Sequence, residues 1–561
     1  MKIALVGPEL EENLGLRYIH SSLTQAGHEA RLFEFHAPEQ IDGVVRLIAE
    51  YGADVVGMSM VFTARAREYV ELAEKLRVSG YRGHITAGGH FASFHANDLL
   101  RDFAAFDSVV HGEGELTLVD LVDNLSDMGA VRGISFRAAG GEIMRTAPRP
   151  NPDDLDTLPW PTRSPPFHSY LGKPIANILG SRGCYGHCSF CSIAAWYRQN
   201  SGKRFRQRSV ACVVDEMSAL YHEHGVRVFN FHDDNFFVPD REANLQRFDE
   251  LRRRIRRAEM TEIAIQVKAR PDSIDREIVS LLKESGLFRV FLGVENYSKA
   301  GLRTLGKGTT PGQNMSAIAI LKELSIHTTF NLLMFDPDST FEDLRENIKC
   351  IRRFADCPIN FGRVEIHSGI PLEKRLRDEG RLLGDYFSYC YEIADPRVQN
   401  AFEIFHEVFA GRNFEMCGTN YLAMRLDYLF HLYRHFTPSQ AAGMLCRRTR
   451  QLLSMLNANS ADLLSAICDF AEREGRGRRK FTESLLAQRR AYDEKAVTEF
   501  AVTIREIEGL AQRRRRKRTN VSRALPAVPA AADTDISERQ SIVNFIECCE
   551  MAHYPISLKK G

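Results

Sequence analysis

The stretch RTAPRPNPDDLDTLPWPTRSPP, residues 145–166, divides the chain into two series of alternating strand-like and helix-like segments. Its prolines fix φ and remove backbone donors, so it can continue neither a helix nor a central strand. Before it, the short apolar runs KIALVG, EARLFEF, ADVVGMSM, HITAGG and DSVVHG alternate with segments of helical spacing such as 14–26 and 65–77. Such runs suit parallel strands buried on both faces, and five of them predict an α/β, doubly wound, Rossmann-like sheet. After the prolines the alternation resumes, with strand candidates at 176–182, 226–232, 262–267, 288–294, 327–334 and 361–367. Six units fall short of the eight that close a TIM barrel. Right-handed crossovers then predict a partial (β/α)6 barrel of TIM type, with its site at the carboxyl ends of the strands. Beyond about 385, helical spacing takes over, as in SADLLSAICDFAERE and AVTEFAVTIREIEGLAQ.

A chain of 561 residues exceeds what one hydrophobic core usually serves. The expected parts are a Rossmann-like domain over 1–142, a proline-rich linker over 143–173, the partial barrel over 174–385, a C-terminal α-helical domain over 386–524, and a flexible tether and tail over 525–561. The 74 basic and 73 acidic side chains leave almost no net field, so a charged partner has to be met by a local patch. The opening MKIALVGPELEEN lacks the pattern of a signal peptide and no later run of about 18 apolar residues follows, which predicts a cytoplasmic protein with no membrane span.

Twelve cysteines in such a chain argue for metal ligands and small buried hydrophobes rather than disulfides. The first three, Cys184, Cys188 and Cys191, fall in SRGCYGHCSFCSIAAW with C-x3-C-x2-C spacing, just after the first strand candidate of the second series. Three thiolates leave a metal site incomplete. Structural zinc takes four protein ligands and would have to recruit His187, His222 or His224. An iron–sulfur cubane held by three thiolates leaves one iron open to a substrate or cofactor. Cys212, Cys350, Cys357, Cys390, Cys417, Cys446 and Cys468 are too scattered for a second cluster, and the pair Cys548-Cys549 sits in the tail, from which it could approach the site.

C-x3-C-x-aromatic-C, with Phe190 before the last cysteine, resembles the radical S-adenosylmethionine (SAM) enzymes, and the resemblance spans roughly 174–385. It implies a 4Fe-4S cluster on Cys184, Cys188 and Cys191 whose open iron is chelated by SAM, and an external donor of flavodoxin or ferredoxin type whose electron yields a 5′-deoxyadenosyl radical. Phe190 would lie near the adenine. Asp233 and Asp234 in FNFHDDNFF match the strand edge where relatives hold the methionine end of SAM; two adjacent carboxylates also suit a cap or turn. Glu295 in FLGVEN resembles the family's G-x-E segment at the ribose hydroxyls, the other reading being a salt bridge with Lys299 or Arg303. Arg270 in QVKARPD and the loop FDPDST also resemble family segments, the loop without the usual glycine.

Small residues recur at the carboxyl edge of the first series, in GMSMVFT (57–63), AGGHFAS (87–93) and HGEGELT (111–117). Open sheets bind ligands at that edge and glycines admit a large cofactor to the backbone, although a turn also explains a GG pair. The set resembles cobalamin-binding domains over roughly 1–140. It implies Ser59, Met60, Gly88 and Gly89 around the nucleotide tail, and Gly112, Glu113 and Glu115 of GEGE among the contacts. The D-x-H-x2-G ligand motif of many such domains is absent: the matching region reads GPELEENLGLRY, and His20 lies on the next helix. Cobalamin without a histidine below cobalt is therefore expected.

Together the resemblances imply a cobalamin-dependent radical SAM methyltransferase that alkylates an unactivated carbon, or a phosphinate phosphorus, of a small-molecule or natural-product intermediate. The same architecture supports cyclisation, ring contraction or oxidation without methyl transfer. Methylthiolation of transfer RNA would need three further amino-terminal cysteines, and residues 1–183 contain none. The run RRRRKR (513–518) then reads as a solvated helix end, and nucleic acid is not an expected partner. A corrinoid carrier with a decayed cluster domain would have lost a cysteine of the triplet. Substrate, oligomeric state and any lower cobalt ligand are not legible, because side chains of the helical domain set what enters.

Overall fold

The computed structural model describes residues 1–9, 12–415 and 418–522; Cys417, the pair Cys548-Cys549 and the segment 525–561 lie outside them. The first sheet is built on β1 (Lys2–Gly7), β2 (Glu29–Glu34), β3 (Val55–Ser59), β4 (His84–Gly88) and β5 (Ser108–Val110), parallel and ordered β2-β1-β3-β4-β5. The strand order turns back at β1 and β3, the place where doubly wound sheets open a crevice at their carboxyl ends. Helices Leu14–Gln25 and Ala66–Val78 occupy the two segments singled out by spacing. A hairpin, β6 (Ile134–Arg137) and β7 (Ile143–Arg145), adds two antiparallel strands and carries the sheet past residue 142. The proline-rich segment is packed: Leu155 and Leu158 are buried with Leu14 and Tyr18.

The second sheet runs β8 (Ser169–Tyr170), an antiparallel edge, then β9 (Lys173–Ile178); a two-residue ribbon of β10 (Ser181–Arg182) and β11 (Arg206–Gln207) stands apart from it. Next come β12 (Val228–Phe231), β13 (Ala264–Ala269), β14 (Leu287–Leu292), β15 (His327–Phe335) and β16 (Ile359–Arg363). From β9 to β16 the six main strands are parallel and sequential, the expected partial barrel. All nine residues of β15 are buried, as a strand covered on both faces requires. The largest departures from the sequence reading fall at two strand ends. β9 stops at Ile178, because Gly180 and Gly183 (φ +85°) turn the chain into the cysteine loop, and β16 stops at Arg363, leaving 364–370 to cross toward the first sheet.

A short hairpin, β17 (Leu382–Leu383) and β18 (Cys390–Tyr391), leads to the helical domain: Pro396–Asn413, Thr419–Phe436, Gln440–Glu472 and Arg478–Ser522. The buried Arg412 ties these helices, donating to Asp493 (3.0 and 2.7 Å), Ser460 (2.8 Å) and Asn459 (2.7 Å). Arg513, Arg514 and Arg515 are exposed on the last helix, as the solvated reading of the basic run requires. No helix among the described residues is long and apolar enough to cross a membrane.

Candidate cofactor site at the facing sheet edges

The carboxyl edges of the two sheets face each other. Trp196, on the short helix Ser192–Tyr197 that follows the cysteines, stacks on His90 at 4.4 Å and donates its indole N–H to Ser93 (3.3 Å), both on the helix His90–Phe94 that follows Gly88-Gly89. Ser368, on the loop leaving β16, bonds His95 at the end of that helix.

The cysteine loop is held from several directions. Ser189 donates its N–H to Leu305 O (2.8 Å) and its hydroxyl to Thr304 O (2.7 Å), while Leu372 N–H donates to Ser189 O (3.0 Å). The sulfurs are met by donors: Gly186 N–H reaches Cys184 Sγ at 3.3 Å, and Arg270 Nη1 lies 3.7 Å from Cys188 Sγ. Burial, with Asp234 and the neighbouring thiols adding to it, raises Cys184 and pushes Cys191 up to about 12. Among the described residues no three Cys, His, Asp or Glu side chains converge on a single metal ion, and the donors at Cys184 and Cys188 suit sulfurs whose negative charge a multi-iron cluster would share, so the loop fits an iron–sulfur cluster better than a lone ion. The histidines that zinc would need are elsewhere. His187 is exposed, His222 bonds Ala258 O at 2.9 Å, and His224 packs on Phe167.

Around the loop the matched residues separate into two kinds. Asp233 is fully buried and accepts from Gly180 N–H (2.7 Å) and Ser181 Oγ (2.6 Å). Its oxygens shape the entry to the cysteine loop. Asp234 accepts from Gly183 N–H (3.0 Å) beside Cys184. Glu295 has φ +61°, a left-handed conformation that a glutamate adopts at a strain of roughly 1 kcal/mol or more. Lys307 Nζ donates to it at 3.0 Å. Burial opposes the charge on Lys307, and Glu295 outweighs it, so the ammonium is held above its ordinary value. The alternative of a salt bridge thus named the right interaction and the wrong cations. Arg270 is forked on Asp272 (3.0 and 3.0 Å) and donates to Lys307 O (2.7 Å), which joins the Glu295 and Cys188 surroundings. Phe190 packs half-buried against the barrel core. In the FDPDST loop, burial pushes Asp336 up to about 7, and its Oδ2 has no hydrogen-bond partner.

The first sheet's edge is lined by small residues. Gly89 (φ +99°) sits where a Cβ would come within 2.9 Å of Met60 O, so only glycine fits, whereas a Cβ on Gly88 would meet only Val110, at 3.8 Å. Ser59 and Gly7 lie side by side at this edge, and a Cβ on Gly7 would press on Leu16. Sequence reasoning missed Gly7, although a glycine ending the first apolar run marks the same edge. At Gly89 and Gly7 the space of a side chain is taken by Met60 and Leu16, so the small residues keep this edge free of bulky side chains of their own. The Met60 side chain is fully buried in the core, and Glu113 and Glu115 are engaged across the domain boundary: Glu113 with Arg182 (3.2 Å) and Arg206 (2.5 and 3.1 Å), Glu115 with Arg182 (2.6 Å). Burial alone would raise Glu113; the two arginines hold it below the usual carboxylate range. Gly112 (φ +67°) abuts the Asn200 amide. GEGE is therefore a latch onto the arginine that precedes the cysteines. Arg182 itself was missed because an arginine beside a cysteine motif carries no signal by spacing.

Residues 3–122 match the family model of the B12 binding domain, and residues 178–351 match that of the radical SAM superfamily. The chain thus carries a segment matching each of these two families. It is 28% identical over 373 residues to an uncharacterized methyltransferase of Pyrococcus horikoshii, covering 63% of the chain and 78% of the relative. It is 30% identical over 343 residues to the anaerobic magnesium-protoporphyrin IX monomethyl ester cyclase of Synechocystis, covering 59% of the chain and 65%, under two thirds, of that enzyme. Its fold is that of the cobalamin-dependent S-adenosylmethionine radical enzyme OxsB, solved with aqua-cobalamin bound, at a TM-score of 0.65 and 17% identity over 98% of this chain and 83% of that one.

Proposed function

We propose that the chain is a cobalamin-dependent radical SAM methyltransferase acting on an unactivated carbon, or a phosphinate phosphorus, of a small-molecule intermediate. The observation that carries this reading is the apposition of the two edges, with the cysteine loop of one sheet latched by Arg182 to the GEGE turn of the other. Small residues at the edge of one sheet and a three-thiol loop at the facing edge of the other suit two cofactors working on one substrate. Cys184, Cys188 and Cys191 would hold the cluster; Asp234, Glu295 and Arg270 would orient SAM; Ser59, Gly88 and Gly89 would admit the cobalamin tail. When bound, the cluster with SAM supplies radical initiation and cobalamin a transferable methyl group. The chain's own part is to fix these groups and to exclude water between the edges.

An external low-potential donor of flavodoxin or ferredoxin type and a cytoplasmic setting belong to the same proposal. A second reading, cyclisation or oxidation without methyl transfer, is favoured by the likeness to the Synechocystis cyclase. The test is anaerobic reconstitution with SAM and cobalamin, quantifying both coproducts in the presence of substrate. Methyl transfer requires S-adenosylhomocysteine alongside 5′-deoxyadenosine; 5′-deoxyadenosine alone overturns it in favour of the second reading.

A further inference from the structure

Beyond the end of β16 at Arg363, Val364 and Ile366 are buried while Glu365 and His367 between and after them are not. Phe361, Arg363, Glu365 and His367 line a cavity of about 140 Å³ between β16, the β17–β18 hairpin and the helix Pro396–Asn413. Its walls are mainly aromatic, with Phe361, Phe387, Tyr391, Phe402 and Phe414 among them, and Thr63 closes it from the loop after β3. An engineered apolar cavity of about 150 Å³ holds a benzene-sized ligand, so the space here admits at least one ring.

Two polar side chains face this space without a hydrogen-bond partner among the described residues. Glu365 Oε2 and His367 Nε2 lie 4.0 Å apart, with 43% and 36% of their side-chain surface exposed. Burial pushes Glu365 up to about 8 and lowers His367, so near neutral pH they present a carboxylic acid and an uncharged imidazole. The other titratable groups on the walls are Arg363, Cys390, Tyr389, Tyr391 and His406. Arg363 lies 3.7 Å from the Tyr391 ring centroid and 4.5 Å from that of Phe402, and donates to Tyr391 O and Cys390 Sγ, so its guanidinium is turned into the wall. Burial lowers His406 as well.

The position is set by both sheets. Beyond the Ser368–His95 bond, Gly369 (φ +74°) packs on the Phe94 ring so closely that a Cβ would lie 2.5 Å from it. The Tyr391 hydroxyl lies 3.1 Å from Phe335 O and 3.0 Å from Val364 O, bridging the ends of β15 and β16.

We propose that Glu365 and His367 are the polar end of the substrate pocket, which takes an uncharged molecule with an apolar, ring-sized body and a hydroxyl, carbonyl or amide group bonded to this pair. The inference rests on the proposed function in that it calls the occupant a substrate; binding itself does not depend on the reaction. The probe is p-cresol, with p-toluate as its charged counterpart, titrated into the anaerobically reconstituted full chain by ligand-observed NMR. At pH 7, p-cresol should bind at least tenfold more tightly than p-toluate. Glu365→Ala should weaken p-cresol at least fivefold, and Glu365→Gln, which keeps the shape and a donor, should stay within twofold. Wild-type affinity should fall as pH rises from 7 to 9, while that of Glu365→Gln should not. Equal binding of the two probes, or p-cresol binding unchanged in both Glu365→Ala and His367→Ala, overturns the pocket. 5′-Deoxyadenosine measured on the same samples reports the other reading separately: its absence with selective p-cresol binding counts against radical chemistry and leaves the pocket standing.

Discussion

At the scale of single residues, Glu295 and Asp233 are two carboxylates with opposite uses. Glu295 is held in a strained backbone at the carboxyl edge, a quarter where strain accompanies function, and its one charged partner is the buried Lys307. Glu295→Gln should weaken SAM binding roughly 10- to 100-fold, the range of a lost charge-assisted hydrogen bond, as read by equilibrium dialysis of the reconstituted protein. Asp233→Asn should act on stability instead. Its amide would set an N–H against the Gly180 N–H or Ser181 hydroxyl and destabilise the barrel by about 1–3 kcal/mol, visible as a lowered urea midpoint. Cys184, Cys188 and Cys191 stand out in the sequence by their spacing, and the structure places them on one loop after β9. The use of Asp233 was not legible there, since whether a carboxylate turns inward or outward depends on the two glycines that bend the chain at 180 and 183.

At the scale of elements, the alternation of apolar runs located every parallel strand, and its errors fall at the ends. The β6–β7 hairpin escaped it because a two-glycine turn, Gly140-Gly141, looks like a loop in a search for parallel units. Burial set by tertiary packing was also hidden. His327 opens β15, its Nε2 2.9 Å from Asp427 and its ring stacked on His431 at 4.6 Å, with Asp427 and His431 on the helix Thr419–Phe436. Burial drives His327 well below its ordinary value and His431 to about 3. Below about pH 6.5 the unfolded chain therefore takes up protons that these folded histidines refuse, so stability falls as pH drops, by about 1.4 kcal/mol per histidine per pH unit. Asp427, raised by burial, opposes this with one group against two. The melting temperature should accordingly decline from pH 7 to 5.5, and His327→Gln should flatten the decline; a pH-independent melt would contradict the assignment.

At the scale of the whole molecule, two sheets that sequence separates by a proline-rich stretch behave as one body. Glu12 accepts from Arg163 (2.7 Å) and from Asn177 N–H on β9 (2.8 Å), and Arg163 reaches on to Glu216 at 2.5 Å. With the Glu113–Arg182 latch, these contacts should make the sheets unfold in a single calorimetric transition. Removing one side of a buried pair strands the other and destabilises by about 3–5 kcal/mol, so Glu113→Ala with Glu115→Ala should split that transition in two and lower cluster content. The prolines announced a boundary, and only the ion pairs show how tightly it is closed. Residues 113, 115, 182 and 206 therefore limit how this chain can be recombined: joined to a cluster half that lacks both arginines, its corrin-side half would carry two unmatched carboxylates.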